Sequence, residues 1–151
     1  MENTLAVEKA LFTMYESKYD CTIDEMKMHK LMYFTQRESL IVNNEPLFDE
    51  NFLGWRYGPV LLSVRKEFQK SSPFHDITSD VSKPTLDLLE SVLNRFGMLS
   101  SWTLSIMSHE EFSWKLSRTG LSPSDNGSAC LSIDAMRFDA LVEASKRIEE
   151  V

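Results

Sequence analysis

Asp24-Glu25-Met26-Lys27-Met28-His29-Lys30-Leu31-Met32-Tyr33-Phe34-Thr35-Gln36-Arg37-Glu38-Ser39-Leu40-Ile41-Val42-Asn43-Asn44 carries apolar or small side chains almost all the way round a helix, at Met26, Met28, Leu31, Met32, Phe34, Thr35 and Leu40. A helix apolar on most faces sits inside a core rather than on its surface. Asp24 can cap its first turn, and Asn43-Asn44 closes it with the side chains most tolerant of left-handed backbone. The remaining segments must therefore pack around this central helix.

Upstream, Val7, Ala10, Leu11, Met14 and Lys18 follow i, i+3, i+4 spacing and predict an amphipathic helix over about Leu5 to Tyr19. Downstream, aromatic and branched residues lie on both sides of Asp49-Glu50-Asn51, so Pro46-Leu47-Phe48 and Phe52 to Tyr57 read as a short hairpin with its turn at those polar residues. Gly58 ends it, and Pro59 is placed at the first turn of a helix carrying Val60, Leu61, Val64, Arg65 and Phe68. Ser71 to Lys83 reads as an exposed loop. Ser82, Pro84 and Gly97 bracket a helix with Leu88, Leu89, Val92, Leu93 and Phe96 on one side. Ser100 opens a short helix over Trp102 to Met107, and the Ser108-x-x-Glu111 pattern reads as a capping box opening another from His109 to Arg118. After a loop from Gly120 to Gly127, Ser132 caps a last helix carrying Met136, Ala140, Leu141, Ala144 and Ile148. The expected fold class is mainly α with a small β-hairpin (α+β): about six to seven helices and a two- or three-stranded sheet near residues 46–57.

Composition bounds the function. The 151 residues carry 16 basic and 23 acidic side chains, a formal charge of −7, which disfavours non-specific attraction to phosphate and so direct nucleic-acid binding. The first ten residues lack the apolar run of a secretory signal, and no segment nears the roughly 20 apolar residues of a membrane span, so a cytoplasmic protein without membrane contact is expected. Cys21 and Cys130 stand alone and read as reduced thiols. The five scattered glycines form no phosphate loop, and His29, His75 and His109 lack metal-ligand spacing, so no cofactor or metal is expected. The one cluster with acid–base potential is His109-Glu110-Glu111, where an imidazole that titrates near neutrality adjoins two carboxylates. No nucleophile accompanies it, and both carboxylates suit a helix start. Trp55, Tyr57, Trp102, Phe112 and Trp114 are expected in the core rather than on an exposed patch, because large rings dominate burial in small domains.

Several ordered motifs together resemble a known family. Lys30-Leu31-Met32-Tyr33-Phe34-Thr35-Gln36, Pro46-Leu47-Phe48-Asp49-Glu50 and Trp55-Arg56-Tyr57-Gly58-Pro59-Val60 are followed by Leu99-Ser100-Ser101-Trp102, Leu104-Ser105, Ser108-His109-Glu110 and Trp114-Lys115. This order is similar to that of the Panacea domain, the SocA-like antitoxin family also labelled phage-associated protein. Phe112, Ser113 and the pair Arg37-Glu38 depart from the residues usual at those places.

The resemblance implies a single Panacea (SocA-like) domain over 1–151 and a non-enzymatic role: an antitoxin of a bacterial or prophage toxin-antitoxin system that neutralises a cognate protein toxin, encoded by a neighbouring gene, by direct binding. It also implies an alternative, a proteolytic adaptor that delivers the toxin to a ClpXP-type protease. A small enzyme using His109 and Glu110 or Glu111 is the reading from another class. Lys30, Tyr33, Gln36, Trp55, Tyr57, Gly58, Pro59, Trp102, His109, Glu110 and Trp114 carry the motifs, as structural or partner-binding residues, and Arg56 is a candidate partner contact.

Overall fold

The computed structural model describes residues 1–150. In chain order the elements are α1 (Thr4–Tyr19), α2 (Glu25–Asn43), β1 (Leu53–Trp55), β2 (Gly58–Val60), α3 (Leu62–Phe68), α4 (Lys83–Phe96), α5 (Ser101–His109), α6 (Phe112–Ser117) and α7 (Ile133–Glu149). The protein is mainly α with one small antiparallel hairpin. No helix among the described residues is long and apolar enough to cross a membrane.

α2 is the central helix. Asp24 Oδ1 accepts from the Lys27 amide at 2.8 Å at its start, and Asn44 ends it in left-handed backbone at φ 56°. Leu31, Met32, Tyr33 and Phe34 are fully or almost fully buried in the centre of the fold, where α2 packs against α4, α5 and α7, and Phe34 stacks on Phe96 of α4 with ring centres 4.6 Å apart. Each such side chain contributes roughly 1.5–3 kcal/mol through its burial. The polar residues on either side of them in α2, from Lys27 to Lys30 and from Thr35 to Ser39, are buried too, and each makes at least one hydrogen bond. Gln36 is the clearest case: its Oε1 accepts from the Leu47 amide at 2.7 Å and its Nε2 donates to the Phe48 carbonyl at 2.9 Å.

That amide clamp explains why the hairpin is displaced from its expected place. The backbone of Leu47 and Phe48 is bonded to Gln36, so it cannot pair with the residues beyond Asp49-Glu50-Asn51. The turn lies instead at Arg56-Tyr57, with Leu53 opposite Val60, Gly54 opposite Pro59 and Trp55 opposite Gly58. Pro59 is thus a strand residue and not the opening of α3, and the sheet occupies residues 53–60 rather than 46–57. On its other side β1 meets the stretch before α7: the Gly54 amide donates to the Ala129 carbonyl at 2.9 Å and the Leu131 amide to the Phe52 carbonyl at 2.8 Å.

Two further expectations are corrected. The loop from Ser71 to Lys83 is not simply exposed: Phe74, at φ 63°, is fully buried against Phe12 and Phe68. The capping box does not form, because Ser108 Oγ donates to the Ser105 carbonyl within α5, and α6 starts only at Phe112. Asp139 of α7 caps α6 from outside by accepting from the amides of Phe112 and Ser113 at 2.8 and 2.9 Å. On α7 the inner side is Ala135, Met136, Asp139 and Ala140, whereas Leu141 and Ile148 are 69% and 76% exposed.

Candidate functional site

The motif residues divide into three groups. Gln36 clamps the extended strap over 46–48. Tyr33 lies in a second place, a buried polar junction between α2, α6 and α7. Its hydroxyl donates to the Glu111 carboxylate at 3.1 Å, lies 3.0 Å from Ser113 Oγ and reaches Asp139 Oδ2 at 3.3 Å. Burial, and then the Glu111 and Asp139 charges, push its phenol well above the ordinary value, so it remains a donor.

The third and largest group surrounds the hairpin. Trp114 Nε1 donates to the Trp55 carbonyl at 2.8 Å, and Ser105 Oγ donates to the Tyr57 carbonyl at 2.8 Å, so α6 and α5 each hold one side of the turn. His109 stacks on Trp114 with ring centres 4.3 Å apart. Lys30 of α2 lies under the turn at 1% exposure, and its Nζ donates to the Pro59 carbonyl at 3.4 Å. Burial pulls this amine down to about 8. Gly58 is the point of closest approach: a Cβ there would lie 2.6 Å from Ser108 Oγ and 2.7 Å from Lys30 Nζ, and its φ of +117° belongs to glycine.

His29, which the sequence reading singled out only as an isolated histidine, locks the hairpin's exit. Its Nδ1 accepts from the Leu61 amide at 3.2 Å, which leaves the ring proton on Nε2 to be donated to Glu25 Oε2 at 3.0 Å. Burial lowers its pKa to about 4, so the ring stays neutral. Arg118, also missed, has no motif signal at all. Its guanidinium donates to the carbonyls of Gly54, Ser122, Asp125 and Asn126 and folds the loop after α6 around itself.

What this frame presents to solvent is aromatic. A cleft of about 340 Å³ lies beside the hairpin, lined by Met26, His29, Lys30, Trp55, Tyr57 and Val60, with Glu25 at one end. Tyr57 at the tip is 53% exposed, and Trp102 and Ile106, one turn apart on α5, are 64% and 50% exposed. Arg56 stacks over Tyr57 with its guanidinium 4.6 Å from the ring centre. The expected core placement of the five aromatics therefore fails: Tyr57, Trp102 and Phe112 are exposed, while Trp55 and Trp114 are half-buried as their supports.

The three members of the His109-Glu110-Glu111 cluster point to different partners. Glu111 accepts from Arg37 Nη1 at 2.7 Å and from Tyr33, and Glu110 lies 3.6 Å from Lys115, so neither carboxylate is bonded to His109. The imidazole is held below its ordinary value, first by burial and then by the Lys30 charge, and its buried Nε2 has no hydrogen-bond partner among the described residues.

Comparison with known proteins agrees with the motif order. A family model described as "Antitoxin SocA-like, Panacea domain" matches residues 28–115, more than half of the chain and a span that includes all eleven motif residues. No significant match occurs among curated proteins or among solved structures.

Proposed function

The chain belongs to the SocA-like antitoxin family of Panacea domains, and we propose that it neutralises a cognate protein toxin, encoded by a neighbouring gene, by direct binding at the hairpin cleft and without catalysis. The observation that carries this reading is the division of labour around the turn. Lys30, Gly58, His109 and Trp114 are spent on holding the hairpin, whereas Tyr57, Trp102 and Ile106 are left in water. Exposed aromatic side chains on a rigid support are the usual energetic anchors of a protein interface, because little conformational freedom remains to be lost on binding. The net charge of −7 favours encounter with a basic partner. His109 supports this reading over the enzyme, since its ring is committed to Trp114 and no carboxylate orients it.

The test is growth rescue. Co-expression with the adjacent gene's product relieves its toxicity, and Tyr57→Ala/Trp102→Ala abolishes the relief while the protein still accumulates. Toxicity unchanged by the wild-type chain contradicts the proposal.

A further inference from the structure

The hairpin cleft carries a charge pattern that bears on what enters it. Its walls at Met26, Trp55, Tyr57 and Val60 are apolar, Lys30 lines it from α2, and its one carboxylate is Glu25. Glu25 is already matched: Arg65 Nη1 lies 3.1 and 3.2 Å from its two oxygens, and the His29 ring donates to it at 3.0 Å. Two cations at the turn have no such match. The Lys30 ammonium spends one of its three protons on the Pro59 carbonyl at 3.4 Å. Arg56, exposed at the tip, stacks on Tyr57 and reaches the Ser124 carbonyl at 3.5 Å. Neither forms an ion pair with a carboxylate among the described residues.

The cleft and the turn beside it therefore hold Lys30, Arg56 and Arg65 against Glu25, a local excess of positive charge on a chain whose total is −7. A buried ammonium without a counter-ion is costly to keep, and an arriving anion offsets that cost. Lys30 reaches its place on a flexible four-carbon stem, so rotation about its last bonds turns the remaining protons from Pro59 towards the cleft. Arg56 offers a planar fork that grips a carboxylate through two bonds, beside the ring of Tyr57. The walls meanwhile demand an apolar side chain. Apolar group and carboxylate together describe neighbouring residues of a polypeptide.

We infer that the hairpin cleft recognises an apolar side chain with an aspartate or glutamate beside it in the partner protein, the carboxylate pairing with Arg56 above Lys30. This rests on the hairpin as the toxin contact and names the residues that meet it. The charge of −7 acts at long range on the partner's surface as a whole, whereas the unmatched cations act on the residue that docks.

Labelled whole chain titrated with the blocked tripeptide Ac-Leu-Glu-Leu-NH2, followed by amide shifts and by the Lys30 Cε signal, tests it. Saturable shifts are expected at Trp55, Tyr57 and Val60, with a dissociation constant of about 1 mM. The glutamine analogue Ac-Leu-Gln-Leu-NH2 binds at least about threefold more weakly. The Lys30 amine, which burial holds at about 8, titrates higher with the glutamate peptide bound and not with the glutamine peptide, because an adjacent anion favours the ammonium. Lys30→Met and the exposed Arg56→Glu each weaken the glutamate peptide, Arg56→Glu by at least about fivefold. Absence of saturable shifts up to about 10 mM, an equal response to the glutamine peptide, or unchanged binding by Arg56→Glu overturns the inference. With the adjacent gene's product the two readings separate. A complex weakened by Tyr57→Ala/Trp102→Ala but untouched by Arg56→Glu overturns the acidic preference alone, whereas no complex contradicts the hairpin reading itself.

Discussion

The indole of Trp114 donates to the main-chain carbonyl of Trp55 at 2.8 Å across 59 residues of sequence. Through this one bond the two motif blocks, one around Trp55-Arg56-Tyr57-Gly58-Pro59 and one around Trp102 to Trp114, become a single object: a hairpin tip held by α5 and α6 over the start of α2. The family's recurrent residues are mostly the hidden half of that object, and the aromatic rings they present are those of Tyr57 and Trp102.

Gly58→Ala is expected to destabilise the fold by at least about 2 kcal/mol. The substitution strains a backbone at φ +117° and drives a methyl group against Ser108 Oγ and Lys30 Nζ. Urea unfolding reports it as a lower midpoint with unchanged slope.

Gln36→Glu tests the clamp on the strap. The carboxylate keeps the Leu47 amide but faces the Phe48 carbonyl without a proton to give, and the loss is expected to be about 1–3 kcal/mol. Amide exchange at Leu47 and Phe48 rises with it. An unchanged midpoint means that the strap is held by its apolar side chains alone.

Arg118→Lys removes the fork that gathers the carbonyls of Gly54, Ser122, Asp125 and Asn126. One ammonium cannot replace it, so a cost of about 2 kcal/mol and faster hydrogen exchange across residues 120–127 are expected.

Stability depends on pH in opposite senses at two buried groups. Burial raises Glu8 from 4.5 to about 8, with one oxygen accepting from Ser63 Oγ and the other without a partner among the described residues, while His29 is lowered from 6.5 to about 4. Below pH 6.5 the unfolded chain protonates at His29 before the folded one does, so stability falls as pH drops from 6.5 towards 4. Between pH 4.5 and 8 the folded chain holds the Glu8 proton that the unfolded chain has released, so stability falls as pH rises through that window. From 6.5 to 8 only the Glu8 effect of these two remains. Glu8→Gln is therefore expected to be more stable than wild type at pH 8, by about 1–3 kcal/mol, and nearly equal to it at pH 5. Urea midpoints at the two pH values check this, and a variant equally destabilised at both contradicts it.

Much of the fold was legible in the sequence because it follows from periodicity and caps. The encircling apolar positions of α2 mark the central helix, and the Asp24 and Asn44 ends lie where those side chains allow. What was hidden depends on long-range polar bonds. Nothing local in Pro46-Leu47-Phe48 says that Gln36 will occupy its backbone, and that bond moves the turn from Asp49-Glu50-Asn51 to Arg56-Tyr57. Likewise Ser108 and Glu111 satisfy the spacing of a capping box, but Arg37 and Tyr33 take Glu111, and Asp139 takes its place at the start of α6. The motif residues were legible as a set; that Trp102 and Tyr57 would be exposed while Lys30 is buried was not, since an apolar ring alone does not say which side of the support it stands on. The departures Arg37, Glu38, Phe112 and Ser113 all lie at or beside the junction of α2, α6 and α7, whose charges come from residues far apart in sequence.

The most direct test of the central claim is calorimetric titration of the purified chain with the adjacent gene's protein product, repeated with Tyr57→Ala/Trp102→Ala. The account predicts a saturable complex with the wild type and affinity reduced at least about 30-fold, roughly 2 kcal/mol, in a variant whose thermal midpoint is unchanged within about 2 °C. No complex with the wild type, or equal affinity for the variant, contradicts it.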